Sequence, residues 1–230
     1  MAERPGVTVE VVPSLGSSGG IKALLAGAID VALSGRPLKD EERAKGISAR
    51  GFARSPLGFA TCVDTKTDEI TLTRIADIYA GRIDAWPDGG VLRLVLRPES
   101  EFDTDILRRM SSAMASAVES AYARPGLIMA ATDQENLESL ERIPGSLGIT
   151  TLGQILAERR HLKLLRLDGT PPTPETLSRG SYRHGKTFYV VSRPEPAPLE
   201  AEFAAFLASS EGQTALAGVG GFAAPDRATL

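Results

Sequence analysis

Apolar and polar positions alternate along the chain with two periods. Val7, Val9 and Val11 recur at the spacing of a half-buried strand, whereas Ile21, Leu24, Leu25 and Ala28 recur at i, i+3, i+4 and i+7, one face of a helix. Between the predicted strand Val7–Val12 and that helix lies Pro13-Ser-Leu-Gly-Ser-Ser-Gly-Gly-Ile-Lys22, a Ser/Gly loop that opens the helix. Gly27 weakens the helix end, and a second short strand, Asp30–Leu33, leads into Ser34-Gly35-Arg36. Pro37 suits a helix start, with Asp40, Glu41 and Glu42 in the first turns, where the helix dipole favours acids.

Strand and helix patterns continue to alternate. Leu57–Val63 reads as an apolar strand, Thr73–Tyr79 as a helix capped by Thr71 or Thr73 and closed by Gly81, and Trp86-Pro-Asp-Gly-Gly90 as a turn before the strand Val91–Leu96. Ile106, Leu107, Met110, Ala113, Met114, Ala117, Val118 and Ala121 form the stripe of one helix from about Asp103 to Tyr122, stopped by Arg124-Pro125-Gly126. Asp133 is placed to cap a helix bearing Leu137 and Leu140, and Ile143-Pro-Gly145 turns into the strand Ser146–Thr150. A helix near Thr151–Arg160, a strand Leu162–Leu167, a Pro-rich loop Asp168–Pro174, a strand Thr187–Ser192 and helices from Leu199 and Ser210 complete the pattern. The alternation predicts an α/β architecture with largely parallel sheets.

With 230 residues the chain is one large domain or two small lobes, and 42% hydrophobic and 24% charged residues are those of an ordinary globular protein. A net charge of −3, dispersed arginines and no aromatic–basic interleaving argue against nucleic acid and against an anionic membrane surface as partner. No apolar run approaches a membrane span, and Met1-Ala-Glu-Arg-Pro5 has no apolar signal core, so the protein is either cytoplasmic or has had its export signal removed. Cys62 is the single cysteine, which excludes an internal disulfide, and it reads as a small buried hydrophobe of the Leu57–Val63 strand.

The chemistry concentrates at Gly16–Lys22 and Ser34–Arg36. Backbone N–H groups and hydroxyls at a helix N-terminus form an anion site, because the first-turn donors lack intrahelical partners and the dipole favours negative charge; an arginine adds a planar fork of donors. The spacing is neither a P-loop nor a dinucleotide fingerprint. Glu99, Glu101 and Asp103 read as acids favouring a helix N-terminus through its dipole, and His161 and His184, each beside basic residues and without metal-ligand spacing, as surface residues. No Ser-His-Asp, Cys-His or nucleophile-elbow pattern is present, so the expectation is a non-enzymatic protein without cofactor or metal.

Several segments, taken in order, resemble the periplasmic phosphate-binding protein family, the solute receptors of phosphate ABC transporters. They are Gly16-Ser-Ser-Gly-Gly-Ile-Lys22, Gly27-Ala-Ile-Asp-Val-Ala-Leu-Ser34, Leu72-Thr-Arg-Ile-Ala-Asp-Ile-Tyr-Ala-Gly81 with Trp86-Pro87, Pro144-Gly-Ser-Leu-Gly148, Leu167-Asp-Gly-Thr-Pro-Pro-Thr173, Gly180-Ser-Tyr182 and Phe203–Gln213. The resemblance implies a type II periplasmic-binding-protein-like α/β fold. It has two lobes, joined by crossover strands near Gly58–Val63 and Phe188–Ser192, with a small oxyanion enclosed between them by hinge closure. Lobe one would comprise residues 1–60 and 190–230, and lobe two residues 61–189. It also implies a periplasmic location and delivery to a membrane permease.

Carried onto this chain, the family's ligand set falls on Ser17, Ser18, Gly19, Gly20 and Ser34, with Arg36 as a charge partner, and on Arg97 and Ser100 from lobe two. The chain departs from the family in three places. The family aspartate after the Ser34 position, which accepts a phosphate proton, is Gly35 here. The Ser-Gly-Thr donor loop after Arg97 reads Pro98-Glu-Ser-Glu-Phe-Asp-Thr104, and the strand, Gly/Thr-rich loop and helix that precede the Pro5-Gly-Val region in the family have no counterpart in these 230 residues, whether trimmed, lost through a misassigned start or truly absent. An unpaired sheet edge left by that unit would invite a homodimer. These departures keep open a second function, a receptor-like sensor or protein-interaction module that no longer binds phosphate.

Overall fold

The computed structural model describes residues 6–223 and divides into two compact units. Unit one takes the chain up to Arg54 and returns with Thr187–Val219; unit two comprises Ser55–Lys186 and Gly220–Ala223. Residues 1–5 and 224–230, assigned to lobe one from the sequence, lie outside the described residues.

Unit one opens with α1 (Gly16–Leu25), β1 (Ala32–Ser34) and α2 (Asp40–Arg43), and its chain leaves along β2 (Ser48–Cys62). Ile21 and Leu24 of α1 are fully buried against Ala32, Leu38, Ile47 and Val191. The Ser/Gly segment is therefore the first two turns of α1 itself, not a loop preceding it. Val7–Val12, by contrast, forms no strand: Val9 and Val11 are 58% and 88% exposed. Alternation supplies β-propensity, but a strand persists only with a pairing partner and a covered face.

Unit two follows with β3 (Glu69–Ile70), α3 (Leu72–Tyr79), β4 (Arg93–Leu96), α4 (Phe102–Met110), α5 (Ser112–Tyr122), β5 (Ile128–Met129), α6 (Asp133–Arg142), β6 (Ser146–Thr151), α7 (Leu152–Ala157), β7 (Leu162–Leu164), β8 (Arg166–Leu167) and α8 (Pro174–Ser178). Its sheet is covered on both faces. Leu57, Phe59, Leu94, Leu96, Leu147 and Ile149 pack with α3 and α5 on one side, while Ala60 and Val95 pack with Leu137, Leu140 and Ile155 of α6 and α7 on the other. A doubly covered sheet explains why β6 is buried at every position, its Ser and Thr residues included. The pairing is mixed and not largely parallel: β4 runs parallel to β5 and β6, but β2 is antiparallel to β6 and β7. β9 (Gly185–Ser192) then carries the chain back to unit one, where it pairs antiparallel with β1, and α9 (Pro198–Ala208) and α10 (Ser210–Val219) complete that unit.

Local chemistry revises several sequence boundaries. The single helix expected over 103–122 is two, because Ser111 is extended (φ −166°, ψ 165°) and its hydroxyl accepts the Met114 N–H at 3.0 Å as the cap of α5. Thr132, not Asp133, caps α6, with Glu135 completing a capping box. The apolar run 162–167 splits between two partners, since β7 pairs with β2 and β8 with β3. Asp168 sits in the left-handed region (φ 47°) and accepts the Leu72 N–H at 3.1 Å, turning the chain there. Gly145 (φ +73°) admits no other residue, as a Cβ would lie 1.9 Å from the Val91 carbonyl oxygen. Among the described residues no helix is long and apolar enough to cross a membrane.

Removing the α5 cap with Ser111→Ala should destabilise unit two by about 1 kcal/mol. Urea unfolding followed by the fluorescence of Trp86, the single tryptophan, checks this; an unchanged midpoint would show that Ser111 merely interrupts the helix.

Candidate functional site

In unit one the sequence-predicted residues meet at the start of α1. Leu15 occupies the N-cap position without a side-chain cap, and the first turn contains no acidic residue. The Gly16 N–H donates to Ser14 Oγ at 3.4 Å, and the opening N–H groups of α1 have no local carboxylate to compensate them. A Cβ at Gly19 would lie 3.0 Å from the Leu15 Cβ, so a larger residue there requires Leu15 to shift by a few tenths of an ångström.

The two serine hydroxyls are held from one side by the segment after β1. Ser17 Oγ accepts the Gly35 N–H at 3.0 Å, and Ser18 Oγ accepts from Arg36 Nη2 at 2.9 Å. A hydroxyl that already accepts keeps its single proton to donate, and an arginine donating to its oxygen polarises that proton further. Ser34 is fully buried and committed to the turn: its hydroxyl donates to the Arg36 carbonyl at 2.7 Å and accepts the Arg36 N–H at 3.2 Å.

Arg36 itself is buried and carries a bidentate pair with Glu42, Nη1–Oε2 and Nη2–Oε1 both at 2.8 Å. Glu42 also accepts the Lys39 N–H at 2.8 Å. The Arg36 hydrogen bonds, assisted by the Lys39 N–H, hold the Glu42 carboxyl down at about 2 against the opposing effect of burial. Arg36 is therefore locally neutralised, and its contribution to the α1 terminus is to orient Ser18.

In unit two Arg97 follows β4 and is also buried. Its Nη1 donates to the Ala130 carbonyl at 2.8 Å and its Nη2 to Asp133 Oδ1 at 2.9 Å, with Glu101 Oε2 at 3.8 Å. Its Nε is buried and has no hydrogen-bond partner among the described residues. Asp103, in the first turn of α4, is buried and pairs at 2.7 Å with Lys186, the first part of β9. Burial works against the charge on Lys186, but the carboxylates of Asp103 and Asp133 outweigh it and raise its pKa. Ser100 lies exposed in the turn before α4.

The structure thus gathers Ser17, Ser18, Ser34 and Arg36 in one unit and leaves Arg97 in a separate ionic cluster in the other. Sequence reasoning missed Glu42, Asp133 and Lys186 as members of these clusters. Glu42 and Asp133 were legible only as helix-terminal acids, and nothing local marked Lys186, which lies far along the chain from Asp103. Two further residues depart from expectation. Cys62 is half-buried at the end of β2, not sealed in a core. His184 is half-buried, edge-on to Tyr182 with ring centroids 5.6 Å apart, and desolvation lowers its pKa.

A model of the family described as "PBP superfamily domain" matches residues 1–211. The chain is 27% identical over 205 residues to the phosphate-binding protein PstS of Borreliella burgdorferi, covering 86% of this chain and 74% of the relative. It is 25% identical over 220 residues to a phosphate-binding protein PstS of Staphylococcus epidermidis, covering 87% of this chain and 66% of that relative, just under two thirds of its length. Among solved structures, a phosphate-bound protein of Clostridium perfringens assigned as a phosphate ABC transporter substrate-binding protein superposes with a TM-score of 0.76 at 21% identity, over 92% of this chain and 86% of that one. This last likeness establishes the fold.

The depressed Glu42 pKa gives the Arg36–Glu42 pair a pH signature. Its stabilisation is complete above the ordinary carboxylate value of 4.5 and is lost as pH falls from there towards about 2, because the unfolded chain takes up the proton first. Glu42→Gln should cost about 1–3 kcal/mol at neutral pH and flatten the acid dependence in that window. Hydrogen exchange of the α1 amides reads both effects; parallel acid curves for the two proteins would show that the pair does not support the site.

Proposed function

The chain belongs to the PBP superfamily, and from that premise we propose that it is a non-catalytic solute-binding protein of an ABC transporter whose ligand is a phosphate-class oxyanion. The observation that carries this reading is the start of α1, where, beyond the Gly16 N–H that donates to Ser14 Oγ at 3.4 Å, first-turn N–H groups and two hydroxyls with protons left to donate lie together with no acid in the turn. An oxyanion accepts from every one of these groups. Ser17 and Ser18 donate their hydroxyl protons, Gly19 and Gly20 allow the backbone to be approached, Ser34 frames the turn, and Arg36 acts through Ser18. In unit two Arg97 is the cation assigned to the same ligand class, held in place by Ala130 and Asp133, with Ser100 in the exposed turn that follows. That these relatives are phosphate-binding proteins supports the choice of phosphate. An extracytoplasmic location and delivery to a membrane permease belong to this reading.

A specific observation favours a second reading. Arg97 and Lys186 share unit two's cluster with three carboxylates, Glu101, Asp103 and Asp133, so an added anion meets charge already balanced to excess. A receptor-like sensor or interaction module that no longer takes phosphate fits such a cluster.

Calorimetry separates the two. The solute-binding reading expects saturable heat with sodium phosphate, and an affinity at least about tenfold weaker in Ser17→Ala/Ser18→Ala, since each lost bond is to a charged acceptor. Because Gly35 offers no carboxylate to accept a phosphate proton or to repel a fully ionised anion, sulfate should bind with comparable affinity. No heat with phosphate, sulfate or molybdate at millimolar concentration would favour the sensor reading. A strong preference for phosphate over sulfate would remove the role given to Gly35.

A further inference from the structure

The end of β2 and the start of β7 bring together three metal-ligating side chains that the anion site does not use. Cys62 closes β2, Asp64 follows in the turn, and His161 immediately precedes β7, whose Leu162 pairs with Cys62. The Val63 N–H donates to the His161 carbonyl at 3.4 Å, extending that pairing by a residue. Asp64 Oδ2 stands 3.7 Å from Cys62 Sγ and 3.8 Å from His161 Nε2, and one ligand atom from each residue lies within 4.8 Å of the other two.

These separations fit a shared ion. With metal–sulfur bonds of about 2.3 Å and metal–nitrogen or metal–oxygen bonds of about 2.0–2.2 Å, tetrahedral ligands lie about 3.4–3.6 Å apart. Each Asp64 separation therefore needs to close by only a few tenths of an ångström, and the Cys62–His161 separation, at most 4.8 Å, by no more than about 1.3 Å, which rotation of the exposed His161 side chain supplies. The backbone carrying them is held: the His161 N–H donates to Glu141 Oε1 at 2.6 Å, and the Thr65 N–H to the Cys62 carbonyl at 3.0 Å. The neighbouring cations are engaged away from Asp64, Arg160 with Glu158 and Glu141, and Lys163 with Asp68 and the Thr65 carbonyl.

We propose that Cys62, Asp64 and His161 form a three-ligand site for a divalent ion of the zinc class. Mixed sulfur, nitrogen and oxygen donors select borderline ions such as zinc and cobalt over magnesium and calcium, which prefer all-oxygen sets. On binding, the Cys62 thiol loses its proton to solvent as sulfur replaces a metal-bound water. Asp64 donates from its carboxylate and His161 from the lone pair of Nε2, and no group changes oxidation state. Thiolate and carboxylate together balance the dipositive charge. Exposure of Asp64 and His161 leaves the fourth position to water, so the ion is exchangeable.

The test uses the full chain without an affinity tag, reduced, titrated with cobalt(II) chloride under argon. The expected result is a near-ultraviolet thiolate-to-cobalt charge-transfer band with visible bands of four-coordinate cobalt. The bands saturate at one ion per chain, are displaced by zinc chloride and are unmoved by excess magnesium. Cys62→Ser and His161→Ala should each abolish the bands, and Asp64→Asn should weaken binding at least about tenfold, while phosphate calorimetry and circular dichroism stay unchanged. No charge-transfer band, or one that survives in His161→Ala, would overturn the site.

Discussion

A charge removed from water has to be met by an opposite charge, and the polar cluster of each unit is built around that requirement. An unpaired buried ion costs several kcal/mol, so Arg36 is buried only together with Glu42, Arg97 with Asp133, and Lys186 with Asp103. Each pair ties a helix terminus to a neighbouring segment. Glu42 anchors α2 to the turn after β1, Asp133 anchors the start of α6 to the end of β4, and Asp103 anchors α4 to β9. These ties fix the positions of the polar side chains around them.

The same requirement shapes what an anion would meet. In unit one the arginine charge is cancelled, so attraction has to come from the helix terminus and the polarised hydroxyls, whose dipoles cost nothing to keep in place. In unit two the carboxylates outnumber the cations, and Arg97 retains a single buried unsatisfied donor. A site composed mainly of fixed dipoles discriminates by geometry and proton inventory more than by net charge. On the proposed reading Gly35 matters for this reason: with no carboxylate at that position, a protonated and a fully ionised oxyanion would be treated alike.

The metal-ligand cluster arises from a different feature of the fold. Antiparallel pairing of β2 with β7 places the residue after one strand beside the residue before the other, regardless of their distance in the chain. Spacing rules for metal sites depend on ligands that are close in sequence, and His161 has no such neighbour. Only the register of the two strands reveals the trio.

Much of the fold was determined by the sequence alone. The α3 helix with its Thr71 cap, the Arg124-Pro125-Gly126 stop and the strands β4 and β6 depend on neighbours a few residues away. The order of the motifs identified the fold family for the same reason. Tertiary structure decided the rest: whether Val7–Val12 found a partner, where Ser111 broke a helix, which strands β7 and β8 joined, and which carboxylate each buried cation met. Local propensity is written in short stretches of chain, whereas pairing, burial and charge compensation are set by residues that approach only after folding. Accordingly, Ser17 and Ser18 could be singled out in the sequence, but the Gly35 and Arg36 donors that orient them could be assigned only from the folded chain.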